Sequence, residues 1–157
     1  MKNSIQFSAV FFIFSLFLGF NSCKKEDCSP TTKNTETVKK LFGFFAMGDI
    51  SSFLNGSTTD CIFDVTGNQI LNPGKVYFGH SGFMEFLGDL SKKGQPTLLT
   101  PIDFYESGNV VTVLGKIEFT EFASGKKCKV NFIQLWKFNS DGKMIYFKED
   151  HDNRVCE

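Results

Sequence analysis

Polar and apolar positions along this chain follow two different periods, and the change of period falls at Pro96. From Thr35, the residues Val38, Leu41, Phe42, Phe45 and Ala46 recur at intervals of three and four and make one apolar stripe. Lys39 and Lys40 lie off that stripe, so the spacing predicts an amphipathic helix. Gly48 suits the position after its last turn, and Asp49 suits the cap of a short second helix carrying Ile50, Phe53 and Leu54. Residues 61–65 read as a strand, followed by a Gly- and Asn-rich loop and a short apolar run at residues 76–78. Gly79-His80-Ser81 opens a third helix with Phe83, Phe86, Leu87 and Leu90 on its buried face, Ser81 as its cap and Lys92-Lys93-Gly94 as its stop. After Pro96 the period becomes two. Residues 98–105, 110–122, 126–138 and 143–151 read as four strands, with turns at Ser107-Gly108-Asn109, Ser124-Gly125 and Asp141-Gly142. This order predicts an α+β domain with helices laid on one face of a curved, mainly antiparallel sheet.

The segment before the first helix has another character. Residues 7–20 form an uncharged, Phe-rich run preceded by Lys2. As a helix such a run measures about 21 Å, short of the ~30 Å hydrocarbon core, so it reads as the apolar region of a signal peptide. Ser22-Cys23 follows it, and then Lys24-Lys25-Glu26-Asp27, a sequence that looks like a relaxed lipobox. The expectation is a lipoprotein signal peptide at 1–22, cleavage before Cys23, a lipid anchor on that thiol, a tether at 23–34 and one domain at 35–157. An ordinary secretory signal with an incidental Cys is the alternative. Acyl chains contribute about 0.8 kcal/mol per buried methylene, so a multiply acylated Cys23 holds the membrane nearly permanently. No Asp follows Cys23 directly, which points to the outer membrane of a bacterial envelope.

Composition narrows the function classes. The 157 residues balance 17 basic against 17 acidic side chains, and no basic stripe is visible, so nucleic acid is disfavoured as a partner. Twenty Phe against one Trp and three Tyr would suit an aromatic core or an apolar cavity, or reflect a bias of lineage. With Cys23 set aside, four cysteines remain, and an oxidising compartment permits disulfides among them. Spacing does not choose between the three pairings. A Cys28–Cys156 bridge would staple the termini, while Cys61 and Cys128 fall within strands, where a buried free thiol is the ordinary reading.

Several short motifs in order carry a family resemblance: Phe44-Phe45-Ala46-Met47-Gly48-Asp49, Phe78-Gly79, Ser107-Gly108-Asn109-Val110-Val111, Trp136-Lys137-Phe138 before Asp141-Gly142-Lys143-Met144-Ile145, and Lys148-Glu149-Asp150-His151-Asp152. Together, from about Thr35 to Asn153, the chain resembles the SnoaL-like branch of the NTF2-like superfamily. The resemblance implies a cone, with a sheet wrapped around helices and a pocket in its open end. Some members of that superfamily are isomerases or cyclases with a carboxylate proton shuttle, and many others bind or dimerise without catalysis, so fold alone does not choose.

Alternation along the strands nominates residues for the pocket. Gln134 is the polar exception on a face with Phe132 and Trp136, and a buried amide without a partner costs roughly 1–3 kcal/mol, so it meets a ligand, a water or another side chain. Ile145, Phe147, Glu149 and His151 share a face of the last strand, with the two polar residues expected at the cavity rim. If the domain is an enzyme, Asp64, Glu149 and His151 are the acid–base candidates. For each there is a plainer reading: Asp64 ends a strand at a loop, and residues 148–154 alternate in charge as a solvated strand end does. The chain has no Gly-flanked Ser elbow, no glycine phosphate loop and no His pair at metal spacing, so neither a metal nor another cofactor is expected. Three functions compete: a pocket for a small apolar ligand or protein partner without turnover, a proton-transfer enzyme or cyclase, and a homodimerisation module using the outer sheet face.

Overall fold

The computed structural model describes residues 33–152 and 154–157, so Cys23, Cys28 and the leader lie outside the described residues. The elements run α1 (Lys33–Ala46), α2 (Ile50–Asn55), β1 (Ser57–Gly67), β2 (Val76–Phe78), α3 (Gly79–Lys93), β3 (Gly94–Ser107), β4 (Val110–Glu121), β5 (Lys127–Phe138), β6 (Met144–His151) and β7 (Val155–Cys156). The sheet order is β2-β1-β6-β5-β4-β3, with β7 added beside β5. Every pairing is antiparallel except β1 with β6, so the sheet is mixed. That parallel pair sets Phe63 beside Phe147 and joins the helix-rich first half to the meander.

The local chemistry explains the ends of the helices. Gly48 takes φ +71°, a left-handed backbone that a side chain disfavours, and stops α1. Asp49 then caps α2 by accepting from the Ser52 N–H at 3.0 Å. Ser81 is not the cap of α3. The helix starts two residues earlier, from extended Phe78 and with no side-chain cap. At that end His80 Nε2 meets Ser57 Oγ at 3.2 Å. Likewise Lys33 and Asn34, expected in the tether, are the first residues of α1.

The core lies between the concave sheet face and the helices, with α1 over β3 and β4, and α3 over β1 and β2. Val111, Val113, Ile117 and Phe119 of β4 and Cys128, Val130, Phe132, Gln134, Trp136 and Phe138 of β5 are all buried. β3 is the edge strand that tolerates Pro96 and Pro101, which have no N–H to give to a ladder, and its register breaks beside each.

The cysteines resolve differently from the expectation. Cys128 is not a free thiol, and Cys156 does not bridge Cys28. They are Cα partners across β5 and β7 and form a disulfide. Cys61 remains reduced in the core, where burial and then the charge of Asp60 push its thiol up to about 12.

Candidate functional site

Phenylalanines build the walls of a cavity of about 80 Å³ between the helices and the sheet. Phe42 and Phe45 come from α1, Phe53 from α2, Phe63 from β1, Phe83 and Phe86 from α3, and Phe147 from β6. Phe53 and Phe83 stack at 4.7 Å with an interplanar angle of 16°, and Trp136 stands edge-on to Phe147 at 4.9 Å. Such pairs fix the walls by about 0.5–1.5 kcal/mol each beyond their burial.

The cavity has direction. Phe45, Leu90 and Leu99 are half-buried and Pro96 is exposed, which marks an apolar mouth between the end of α1, the end of α3 and the start of β3. The polar lining residues, Asn68, Gln134 and Glu149, are all buried and form the floor.

On that floor Glu149 is 5% exposed and receives three N–H donors. Gln134 Nε2 donates to its Oε2 at 2.6 Å, while Asn68 Nδ2 at 2.6 Å and His151 Nε2 at 3.0 Å reach its Oε1. Donors alone around both oxygens suit the ionised, acceptor-only carboxyl. The orientation of each donor is determined in turn. The Trp136 indole, which can only donate, bonds Gln134 Oε1 at 3.2 Å and so directs the amide nitrogen at Glu149. The backbone N–H groups of Ile70 and Leu71 occupy Asn68 Oδ1. His151 Nδ1 accepts from the Gln69 N–H at 3.1 Å, so Nε2 carries the ring proton. The loop after β1 is thereby pinned to the end of β6 through two side chains.

Of the sequence-nominated residues, Gln134, Trp136, Phe147 and Glu149 line the cavity, and His151 backs Glu149. Glu149 lies at the floor and not at the rim, and it is no solvated strand end, because β5 and the Asn68 loop cover it. Asp64 is elsewhere. Phe63 and Val65 face the core, so alternation turns Asp64 outward, where it accepts from the Thr66 N–H and hydroxyl and from Tyr146 Oη at 3.0 Å. Phe132 is buried but does not line this cavity, because its ring lies over Gly115, its partner on β4. Ile145 is 37% exposed. Phe138 pairs with Met144 and Lys137 with Tyr146, which leaves Ile145 as the extra residue of a bulge and breaks the alternation behind its nomination.

Sequence reasoning did not single out Asn68, Ile70, Pro96 or Leu99, which line the cavity. Asn68 stood in the recognised loop, and only its position over β6 reveals its role. Among the described residues, no group of three or more His, Cys, Asp or Glu side chains is placed to hold a metal, and no helix is long and apolar enough to cross a membrane. The outer face of the sheet exposes Ile102, Tyr105 and Ile133.

No protein-family model and no curated protein matches the sequence. Solved structures do match the fold. An NTF2-like protein of unknown function from Burkholderia pseudomallei superposes with a TM-score of 0.69 at 24% identity, covering 77% of this chain and 92% of that one. TerC, crystallised with polyporic acid, has a TM-score of 0.66 at 27% identity, over 77% of this chain and 92% of its own. A protein from Mesorhizobium loti described as a SnoaL-like polyketide cyclase has a TM-score of 0.61 at 14% identity, over 75% and 98%. The domain therefore has the NTF2-like α+β fold, on which both ligand-binding proteins and SnoaL-like cyclases are built.

Proposed function

We propose that the domain is a pocket for a small apolar molecule, held without turnover, in a protein tethered to the bacterial outer membrane through acylated Cys23. The observation that carries the pocket reading is the state of its floor. Of three polar side chains there, Asn68 and Gln134 are engaged in holding Glu149, so one orienting group faces an otherwise apolar cavity. Acid–base catalysis asks for a second polar group that reaches the same reacting atom. His151 supports Glu149 from behind and is not itself among the lining residues. The size agrees with a small ligand, since about 80 Å³ lies well below the ~300–1,000 Å³ of drug-sized sites. Support for export comes from the Phe-rich leader ending in Ser22-Cys23 and from the Cys128–Cys156 bridge, a bond that persists in oxidising compartments.

The outer sheet face favours a second reading, self-association. Ile133, at 55% exposure, sits with Ile102 and Tyr105 among charges of both signs, Lys129 with Glu118 and Lys148 with Asp150, which impose no net repulsion on a second copy. Native mass spectrometry of the full chain, purified from membranes of the cells that make it, tests these readings together. The expected spectrum shows an acylated N-terminal Cys23 and a bound small molecule. An empty cavity whose Trp136 emission answers to no apolar probe overturns the pocket, an unmodified Cys23 overturns the anchor, and a monomer at all concentrations overturns the dimer.

A further inference from the structure

The hydrogen-bond inventory of the floor selects a class of ligand. An ionised carboxylate offers about four acceptor sites, and three N–H donors use three of them on Glu149, two at Oε1 and one at Oε2. The acceptor oxygens beside it are already engaged, Gln134 Oε1 by the Trp136 indole and Asn68 Oδ1 by two backbone N–H groups. What the floor still presents strongly is one charged acceptor at Oε2, walled by aromatic rings. A neutral O–H donor would make a charge-assisted hydrogen bond there, about twice as strong as a neutral one. A carboxylate ligand would face like charge at short range, where the poorly screened interior keeps the repulsion strong. An ether or ketone would turn its lone pairs toward the same charge and meet at best the second, uncharged N–H of an amide. A cation would have to shed its water among the phenylalanines.

The shape of the cavity sets the rest. Its volume is about half of the ~150 Å³ that admits benzene in an engineered apolar cavity, so a single ring is the upper limit, reached only where the half-buried wall yields, and a fused polycycle does not fit. The buried floor and apolar mouth fix polarity, with the donor inward and the hydrocarbon toward Phe45, Leu90 and Leu99.

We propose that the site takes a small neutral alcohol or phenol, bound with its hydroxyl donating to Glu149 Oε2 and its hydrocarbon part directed at the Phe45–Leu90–Leu99 mouth. This rests on the reading of the cavity as a ligand pocket and names what distinguishes its ligand. The chain's single Trp is Trp136, in the cavity wall, so its emission reports occupancy directly. The experiment titrates the full chain with phenol, toluene and benzoate, and repeats the series on Glu149→Gln. Phenol is expected to bind about tenfold or more tighter than toluene, with benzoate weakest, and the phenol preference should collapse in the variant. Equal response to phenol and toluene overturns the donor rule and leaves the pocket reading standing. Benzoate binding above phenol does the same. Silence toward all three overturns the pocket reading and this proposal with it. Should Glu149→Gln fail to fold, the ratio of phenol to toluene on the unaltered chain still decides.

Discussion

Gln134 and Glu149 are Cα partners across β5 and β6, and the amide of one donates to the carboxylate of the other at 2.6 Å inside the core. Their coupling has a measurable signature. Gln134→Leu strips Glu149 Oε2 of its donor and the Trp136 indole of its acceptor, so a loss of about 2–6 kcal/mol is expected, at roughly 1–3 kcal/mol for each buried group left unpaired. The double variant Gln134→Leu/Glu149→Leu should lose less than the sum of the single losses, because the charge is removed together with its donor. Urea denaturation followed by Trp136 emission measures all three.

Asp64 belongs to a set of carboxylates that couple stability to pH. Burial acts to raise its pKa, but hydrogen bonds from Thr66 and Tyr146 and the charge of Lys148 outweigh it and hold it below its ordinary value. Lys92, Tyr77 and Lys75 bring Asp89 down to about 2, and Asn131 lowers Asp152. Each group binds a proton more readily in the unfolded chain, whose carboxylates titrate near 4, so stability is fully present above about pH 5 and falls as pH drops toward 2. The urea midpoint should follow that course. Asp64→Asn should flatten part of it and leave the response of Trp136 to apolar ligands unchanged, since Asp64 lies outside the cavity.

The Cys128–Cys156 bridge closes a loop with a sequence separation of 28. Chain entropy assigns such a closure roughly 3–4 kcal/mol, so reduction, or Cys128→Ala with Cys156→Ala, should lower the thermal midpoint by many degrees. Cys61 should resist alkylation in the folded protein, since its thiol is buried and pushed up to about 12, and should react on denaturation. Peptide mapping after timed labelling separates the two states.

Gly115 makes room for its cross-strand partner. A Cβ there would collide with the Phe132 ring and the Thr100 carbonyl oxygen, and the ring has no free space to yield because it is almost fully buried. Gly115→Ala should cost about 1–3 kcal/mol through overpacking. Pairing it with Phe132→Leu should recover part of that loss, again by urea denaturation.

How much of this was legible beforehand follows from the range of the forces involved. Period-two alternation found the strands after Pro96 and set Phe132, Gln134 and Trp136 on one face, which is buried, because side-chain direction in a strand is a local property of the backbone. Helical spacing found Phe42, Phe45, Phe53, Phe83 and Phe86 for the same reason. Alternation failed at Ile145, where a bulge adds one residue, and it left the direction of Asp64 open, because that depends on which face of β1 meets α3. Only tertiary packing made Glu149 a floor residue. Two of its three donors come from residues 15 and 81 positions away, and its burial needs a loop folded across β6. The pairing of Cys128 with Cys156 was decided by the same kind of distance, since a two-residue strand had to find its place beside β5. Local pattern therefore wrote the elements and their faces, while contacts between residues remote in the chain chose the site.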